Sequence, residues 1–392
     1  MIVFTYSGQG SQQPGMGAAW REHPSWELVE EASEEAGRDL AHLLLDADAD
    51  ELRQTRNAQL ATFLTSMVIL DAVERVGVDA AGHAGHSLGE YSALTAAGAL
   101  DFGGAIGLVV ERGEAMQAAA GERVGTMAAI LGLDDEGVEA ACEATAGDVW
   151  VANFNAPGQV VIAGDPDAVI AAGEAAREAG AKRITSLEVS GAFHTPFMAS
   201  AGDRLRVAVD EADVRLPEGI VVANVDALEH DDPEAWRSLL NAQLTRPVRW
   251  HQSLRRLSDL GFTTFVELGP GNVLTGLVKR TLKEARRLTV NAPDDLDRLL
   301  EELATTPEAA PPELHEGEHL FATERLVVSP CAGVFTPIED LAVGGAVSAG
   351  QLLGKIGNEE VRSPFGGMLM GWLALDTERV TSSQPIAWLQ VA

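Results

Sequence analysis

The segment "AGHSLGEYSAL" (residues 84–94) decides the fold of the first part of the chain. It contains the spacing Gly-x-Ser-x-Gly, with Ser87 at its centre, between a short strand pattern ending at Gly85 and a helical pattern that leaves through Gly89. A serine with this spacing lies on a tight strand-to-helix turn, which exposes its hydroxyl at the top of a sheet. The segment therefore predicts a layered α/β domain and makes Ser87 a candidate nucleophile.

The sequence on either side of this segment alternates between strand and helix patterns. Residues 2–6 read as a buried strand that stops at a glycine-rich loop, and "FTTFVELGPG" (262–271) reads as another. Residues 124–189 follow the order β-α-β-β-α-β of a ferredoxin-like unit. We therefore expect a hydrolase-like layered α/β domain over residues 1–303, with a parallel sheet and an inserted ferredoxin-like subdomain.

The last part of the chain has a different organisation. Residues 304–320 are rich in proline and glutamate without apolar periodicity, which is typical of a linker. In residues 321–392, "VSPCAGVF" (328–335) returns as "RSPFGGML" (362–369), 34 residues later. The repeat predicts a small all-β domain built from two similar four-strand halves that pack face to face.

The composition excludes several classes of protein. The chain carries 59 acidic against 28 basic residues, a formal net charge of −31, which argues against a general nucleic-acid or anionic-membrane binder. There is no run of about 20 apolar residues that would span a membrane. The cysteines, Cys142 and Cys331, are too isolated for a disulfide framework or a thiolate metal site. We expect a cytoplasmic protein that binds no metal.

A nucleophilic serine needs a base and donors for an oxyanion. His194, in "VSGAFHTPFM" (189–198), is the candidate base because it follows a strand end in a turn of small residues. No aspartate stands where an α/β hydrolase would place one, which weakens the hydrolase interpretation. Arg112 interrupts an apolar helical pattern; it is either a structural or solvated arginine, or a guanidinium presented to a carboxylate. "GQGSQQPGMG" (8–17) lacks the lysine of a P-loop, and its glycines suit backbone N–H groups aimed into a cleft.

Nine segments together resemble, in the same order, the malonyl-CoA:acyl carrier protein transacylases of fatty acid synthesis and the acyltransferase domains of polyketide synthases. They are "GQGSQ" (8–12), "QLATFLTS" (59–66), "GHSLGEYSAL" (85–94), "RGEAMQ" (112–117), "GTMAAILGL" (125–133), "ANFNAPGQVVIAG" (152–164), "VSGAFHTPFM" (189–198), "AQLTRPVRW" (242–250) and "ELGPGNVLTGL" (267–277). One departure is Ser7, where the family usually has proline.

The resemblance implies a role for each matching position. Ser87 would carry malonate as an ester, with His194 as its base and later its acid. The backbone N–H groups of Gln9 and Leu88 would form the oxyanion hole. The backbone carbonyl of Gln243 would orient His194 in place of the carboxylate of other triads.

The resemblance also implies the substrates. Malonyl-CoA would load the enzyme and the phosphopantetheine thiol of acyl carrier protein would collect the malonyl group, in ping-pong fashion. Arg112 would hold the malonyl carboxylate, with Gln59 as a further substrate-binding residue. Phe193 would crowd an α-methyl branch, because a phenylalanine here accompanies malonyl specificity in the polyketide relatives. The alternative activity is a serine hydrolase that acts on acyl thioesters.

Acyl carrier proteins are acidic, and this chain is acidic too, so the two should repel each other at long range. Nine of the 28 lysines and arginines fall between residues 246 and 287. If they gather near the mouth of the cleft, they form a local docking patch; otherwise they are scattered charges on helix faces. We expect carrier-protein docking at four of them, namely Lys279, Arg280, Arg286 and Arg287.

The C-terminal segment resembles biotinyl and lipoyl carrier domains, which display a modified lysine at the tip of a hairpin between their two halves. Here Gly357 and Asn358 suit the tight turn, and Lys355 precedes it. We therefore expect neither biotin nor lipoate on Lys355 and no other cofactor. The domain would be a structural or docking module, for a synthase partner or for self-association; the alternative is a carrier domain.

Overall fold

The structure, a computed structural model, describes residues 1–304, 324–330, 333–338, 341–357, 359–363, 366–374, 377, 379–380 and 384–390. The chain divides into two compact units, Met1–Thr306 and Pro307–Ala392. The predicted linker lies outside the described residues except for Ala304, which is the last residue of a helix rather than the first of a linker. Cys331 and Asn358 also lie outside them.

The first unit opens with a strand, a helical layer and the strand that leads to Ser87. Its elements are β1 (Ile2–Tyr6), α1 (Glu27–Ala36), α2 (Leu40–Leu45), α3 (Ala49–Arg53), α4 (Thr55–Arg75), β2 (Gly82–Gly85), α5 (Gly89–Ala96) and α6 (Phe102–Glu122). The side chain of Asp101 caps α6 by accepting the N–H of Gly104 at 2.8 Å.

An antiparallel sheet with two helices follows. Its elements are β3 (Thr126–Leu131), α7 (Asp135–Ala144), β4 (Val149–Ala156), β5 (Gln159–Gly164), α8 (Pro166–Glu178) and β6 (Arg183–Ser186). The strand order is β4-β5-β3-β6, and the elements follow one another as β-α-β-β-α-β. Backbone hydrogen bonds join β4 to the rest of the unit, from Phe154 N–H to the carbonyl of Val248 and from Val248 N–H to that of Ala152.

The remaining elements of the first unit complete its parallel sheet. They are α9 (Ala199–Glu211), β7 (Ile220–Val221), α10 (Pro233–Gln243), α11 (Trp250–Asp259), β8 (Thr264–Leu268), α12 (Val273–Thr281), β9 (Arg286–Val290) and α13 (Asp294–Ala304). The sheet order is β7-β2-β1-β8-β9, with every pair parallel. Tyr6 pairs with both Gly85 and Leu268, so the loops that follow β1, β2 and β8 meet at one edge. Ligands of open α/β sheets bind at this edge.

The described residues of the second unit form eight strands. They are β10 (Glu324–Val328), β11 (Gly333–Pro337), β12 (Ala346–Val347), β13 (Leu352–Ile356), β14 (Glu359–Arg362), β15 (Gly367–Trp372), β16 (Arg379–Val380) and β17 (Pro385–Gln390). They form two four-stranded antiparallel sheets, with the orders β10-β17-β15-β12 and β14-β13-β11-β16. One apolar core is shared by residues of both sheets.

The repeat in the sequence explains this arrangement. Strands β10 to β13 of the first half correspond, in that order, to β14 to β17 of the second half. Exchanging every strand for its counterpart turns the order β10-β17-β15-β12 into β14-β13-β11-β16, which is the order of the other sheet. Each half therefore contributes two strands to each sheet, and the halves interleave. The expectation of two separate halves packed face to face is wrong, because the sequence repeat reports similarity of the halves and not which strands pair.

Candidate active site

The turn at Ser87 joins the carboxyl end of β2 to α5. The backbone of Ser87 is left-handed, with φ of 54°, a conformation that residues other than glycine rarely adopt. A Cβ on Gly85 would lie 1.7 Å from the carbonyl oxygen of Gly89, and one on Gly89 would lie 2.1 Å from that of Tyr6. Only glycine allows these approaches, so the two glycines of the motif are what permit the turn.

His194 reaches Ser87 from the segment after β6, and its backbone is left-handed too, with φ of 60°. Its Nε2 lies 2.7 Å from Ser87 Oγ, and its Nδ1 lies 2.9 Å from the backbone oxygen of Gln243. Gln243 is the last residue of α10, and the final carbonyls of a helix have no partner within the helix and carry its negative dipole end. This carbonyl accepts the Nδ1 proton, which leaves Nε2 to accept the proton of Ser87.

The electrostatics of the site keep His194 uncharged. Burial lowers its pKa to about 3, and the positive charge of Arg112 adds to the effect. A neutral imidazole is the form that can take a proton from a serine hydroxyl.

Arg112 lies on α6 and is fully buried. Its Nη1 donates to Gln59 Oε1 at 2.6 Å, and its Nη2 donates to Gln243 Oε1 at 2.9 Å and to Ser87 Oγ at 3.1 Å. Its guanidinium carbon stands 5.4 Å from the centre of the Tyr91 ring. Among the described residues no carboxylate oxygen comes within 4 Å of this guanidinium. A buried cation without a counter-ion beside a nucleophile is suited to bind a negatively charged acyl group.

Two backbone donors are free near Ser87. In the described part of the chain, neither the N–H of Gln9 nor that of Leu88 donates to another residue. The N–H of Leu88 belongs to the amino end of α5, where the helix dipole favours negative charge. The N–H of Ser87 itself is taken, because it donates to Asn224 Oδ1 at 2.7 Å.

A small cavity of about 100 Å³ opens on Ser87 and His194. Its other lining residues are Gln9, His86, Met116, Met127, Asn153, Leu187, Val189 and Phe193. A larger cleft of about 470 Å³ also reaches His194 and runs between α7, β4 and the segment at Pro247. The site thus has a tight, largely apolar chamber at the nucleophile and a wider approach to the base.

The four residues expected to dock a carrier protein lie in the last turn of α12 and at the start of β9. Lys279 and Arg280 end α12, and Arg280 donates to Gln159 at 2.6 Å beside the turn between β4 and β5. Arg286 and Arg287 instead open β9, at the amino ends of the parallel strands and the opposite edge from Ser87. Arg286 pairs with Glu302, and Arg287 donates to backbone carbonyls of the preceding loop. The expected gathering of all four near the cleft mouth is wrong.

Sequence reasoning missed three residues of the site. Glu90 and Asn224 form a buried hydrogen-bond network under Ser87. His86 donates or accepts at 2.8 Å with Asn155 of β4 and so joins the nucleophile turn to the inserted subdomain. The signal for two of them was in the motif, because His86 and Glu90 flank the Ser87 turn; no local pattern distinguishes Asn224.

A serine with a neutral base, free oxyanion donors and a buried cation defines an acyl-transfer enzyme that works through a seryl ester. The model of the acyl transferase domain family matches residues 3–299. The chain is 40% identical to the malonyl CoA-acyl carrier protein transacylase of Bacillus subtilis strain 168, over 77% of this chain and 97% of that one. It is 42% identical to the protein of that name from Escherichia coli K12, over 76% and 99%.

A solved structure gives the same result. The fold is similar to that of a malonyl-transacylase in complex with its type II polyketide acyl-carrier protein, with a TM-score of 0.74 and 40% identity over 77% of this chain and 99% of that one. The chain belongs to the malonyl CoA-acyl carrier protein transacylase family. In the part of the chain that the structure describes, no helix has both the length and the apolar character needed to cross a membrane.

The buried state of His194 predicts a pH dependence of stability. The unfolded chain protonates this imidazole near its ordinary pKa, about 6.5, whereas the folded chain does so only at about 3. Between these values the unfolded state binds more protons, so the free energy of unfolding falls as the pH falls. His194→Gln lacks this imidazole. Its free energy of unfolding, relative to that of wild type, should therefore rise by up to about 1.4 kcal/mol for each unit that the pH falls below about 6.

Urea unfolding of both proteins at several pH values down to about pH 4 measures this difference. Other titrating groups cancel in the comparison. A constant gap between the two proteins over this range would contradict the assignment.

Proposed function

We propose that this protein transfers the malonyl group of malonyl-CoA to the phosphopantetheine thiol of an acyl carrier protein, in fatty acid or polyketide biosynthesis. The observation that carries the proposal is Arg112, buried without a counter-ion and 3.1 Å from the hydroxyl of Ser87. The names of the relatives support the same substrates.

The loading step begins at Ser87. Its oxygen attacks the thioester carbonyl while Nε2 of His194 takes the hydroxyl proton. The N–H groups of Gln9 and Leu88 stabilise the oxyanion of the tetrahedral intermediate. The carbon–sulfur bond then breaks, and the CoA sulfur leaves with the proton held by His194. The product is a malonyl ester on Ser87 and free CoA.

The transfer step runs through the same groups. His194 takes the thiol proton of phosphopantetheine, and the sulfur attacks the ester carbonyl. The bond to Ser87 Oγ breaks, and the serine recovers its proton from His194. The carbonyl of Gln243 and the negative end of α10 stabilise the imidazolium in both directions.

Arg112 selects the acyl group. A guanidinium matches a carboxylate in a bidentate geometry, and the malonyl carboxylate supplies the missing counter-ion. Acetyl-CoA brings the same thioester without a carboxylate, so it leaves the buried charge unpaired. Phe193 lines the chamber of about 100 Å³, where an α-methyl branch would need additional space.

The alternative is a hydrolase that releases the acyl group to water. The family membership and the helix carbonyl in place of a triad carboxylate favour transfer. Incubation with malonyl-CoA, with and without holo acyl carrier protein, separates the two by the ratio of malonyl carrier protein to free malonate.

The first prediction for this function concerns the malonyl ester on Ser87 and the recognition of the malonyl carboxylate by Arg112. Ser87→Ala should abolish the malonyl-enzyme seen by intact mass. Wild type should prefer malonyl-CoA over acetyl-CoA by about two to four powers of ten in loading rate, because an unpaired buried charge costs about 3–5 kcal/mol. Arg112→Ala should narrow that gap, and loading should be slower with methylmalonyl-CoA than with malonyl-CoA.

Single-turnover loading with each thioester measures these rates. Ser92→Ala, at a buried serine of α5, the helix that follows the Ser87 turn, is the matched control for Ser87→Ala. Equal wild-type rates for malonyl-, methylmalonyl- and acetyl-CoA, or a malonyl ester that persists in Ser87→Ala, would refute the assignment.

The second prediction concerns the carrier protein. We propose that it docks at Lys279 and Arg280, whose charges stand out on an acidic protein. Reversal of both to glutamate should raise KM for the carrier protein at low salt, and leave loading by malonyl-CoA unchanged. Reversal of Arg286 and Arg287, at the far edge of the sheet, is the matched control and should leave KM unchanged.

The third prediction concerns the second unit, which we propose to be an unmodified structural or docking module related to biotinyl and lipoyl domains. The two interleaved sheets support that relation. Lys355 pairs with Glu360 within β13 and β14, and Ile356 pairs with Glu359, so Lys355 precedes the hairpin turn. A ligase needs a lysine displayed at the turn.

Deletion of residues 307–392 should therefore leave malonyl transfer to free carrier protein largely intact. The full-length protein, produced with biotin and lipoate ligases, should have the mass of its sequence alone. Added mass on Lys355, or loss of transfer by a deletion variant that still folds, would contradict the proposal.

A further inference from the structure

Glu90 is a buried carboxylate directly under the nucleophile. It lies in the first turn of α5, three residues after Ser87, and is 1% exposed. Its Oε1 accepts the backbone N–H of Asn224 at 2.7 Å, and its Oε2 accepts the side-chain amide of Gln243. Within the described residues no lysine, arginine or histidine nitrogen lies within 4 Å of it. Burial raises its pKa to about 7.

The contact with Gln243 decides which way that amide faces. Gln243 Nε2 donates both to Glu90 and to the backbone oxygen of Ser87, the latter at 2.9 Å, so its Oε1 is left to accept from Arg112. In its ionised form, Glu90 can only accept hydrogen bonds. A flipped amide would set its oxygen against the carboxylate and its N–H groups against the guanidinium.

The contact with Asn224 supports the turn of the nucleophile. Asn224 Oδ1 accepts the N–H of Ser87, and Asn224 Nδ2 donates to the carbonyl of Gly85, both at 2.7 Å. The side chain therefore spans the left-handed turn from one side of His86 to the other. Glu90 holds the backbone of Asn224 in the position that this requires.

In its ionised form Glu90 also offsets part of the charge of Arg112 without touching it, and the charge of Arg112 in turn acts to lower the pKa of Glu90 against the effect of burial. The side-chain amide of Gln243 separates the two groups: its oxygen accepts from Arg112, and its N–H groups donate to Glu90 and to the backbone oxygen of Ser87. A direct ion pair would occupy the guanidinium and exclude a substrate carboxylate. Because Gln243 lies between them, Glu90 acts on the charge of Arg112 in the free enzyme without occupying the guanidinium, which stays available to the acyl group.

We propose that Glu90 is a positioning residue for the loading step: by orienting the amide of Gln243 and holding Asn224, it presents Arg112 and Ser87 to the malonyl group. The proposal rests on the proposed function.

The test is Glu90→Gln, which keeps the shape and removes one acceptor. An amide cannot accept at both ends, so either the N–H of Asn224 or the amide of Gln243 loses its partner. Loading by malonyl-CoA should fall by at least about tenfold, as expected for a lost hydrogen bond to a charged group. Loading by acetyl-CoA, which does not use Arg112, should fall less, so the malonyl-to-acetyl ratio should decrease.

Glu267→Gln is the matched control. Glu267 is also buried, and it accepts the N–H groups of Leu274 and Thr275 and the hydroxyl of Ser7, but neither Gln243 nor Asn224 hydrogen-bonds to it. This variant should lose thermal stability and keep the wild-type ratio. An unchanged ratio in Glu90→Gln, or an equal change in both variants, would overturn the proposal.

A second variant covers the case in which Glu90→Gln does not fold. Glu90→Gln combined with Gln243→Glu restores the donor–acceptor match between positions 90 and 243 and at Asn224, and gives up only the hydrogen bond from position 243 to the backbone oxygen of Ser87. Its carboxylate at position 243 would face Arg112 directly, so the malonyl-to-acetyl ratio should stay low; a wild-type ratio would count against the proposal. Failure of the proposed function is a separate result, because wild type would then form no malonyl ester on Ser87.

Discussion

The left-handed backbone at Ser87 is the constraint on which the rest of the site depends. Such a conformation costs about 1–3 kcal/mol for a residue with a side chain and persists only when its surroundings enforce it. Here the close approach of Gly89 to the Tyr6 carbonyl and the clamp of Asn224 on both sides of the turn enforce it. The result is a hydroxyl presented at the sheet edge, with a helix amino terminus directly behind it.

A second constraint on the structure is the burial of the positive charge of Arg112 away from water. Arg112 is surrounded by neutral acceptors, and the nearest compensation in its network is a carboxylate one amide away. Desolvation of a charge is normally offset by an adjacent counter-ion. Leaving that position open trades stability of the free protein for an affinity that only a charged acyl group can use.

The base is supported by a helix end instead of an acidic residue. The carbonyl of Gln243 is available because α10 ends there, and its partial charge orients His194 without adding a full negative charge near Arg112. A carboxylate in this place would attract the guanidinium and raise the pKa of the imidazole. The helix carbonyl keeps the base neutral and the cation free for substrate.

Ser87 and His194 could be picked out from the residues around them, because Ser87 stands at a strand-to-helix turn motif and His194 in a turn of small residues after a strand. The helical pattern around Arg112 left its role open, and Gln243 came only from the resemblance to a known family. The alternation of strands and helices likewise predicted the parallel sheet and the β-α-β-β-α-β segment, since these patterns depend on neighbours close in the chain.

What only the tertiary structure decided are relations between distant residues. Glu90 reads in the sequence as an ordinary acid at a helix start, and its partners lie more than 130 positions away. Arg286 and Arg287 read in the sequence as part of one basic cluster, yet they open β9, and the parallel order of the sheet places them at its amino-terminal edge, away from Ser87. The repeat in the second unit specifies two alike halves, but β10 pairs with β17. Local sequence determines the conformation of a segment; which segments meet depends on how the whole chain buries its apolar faces.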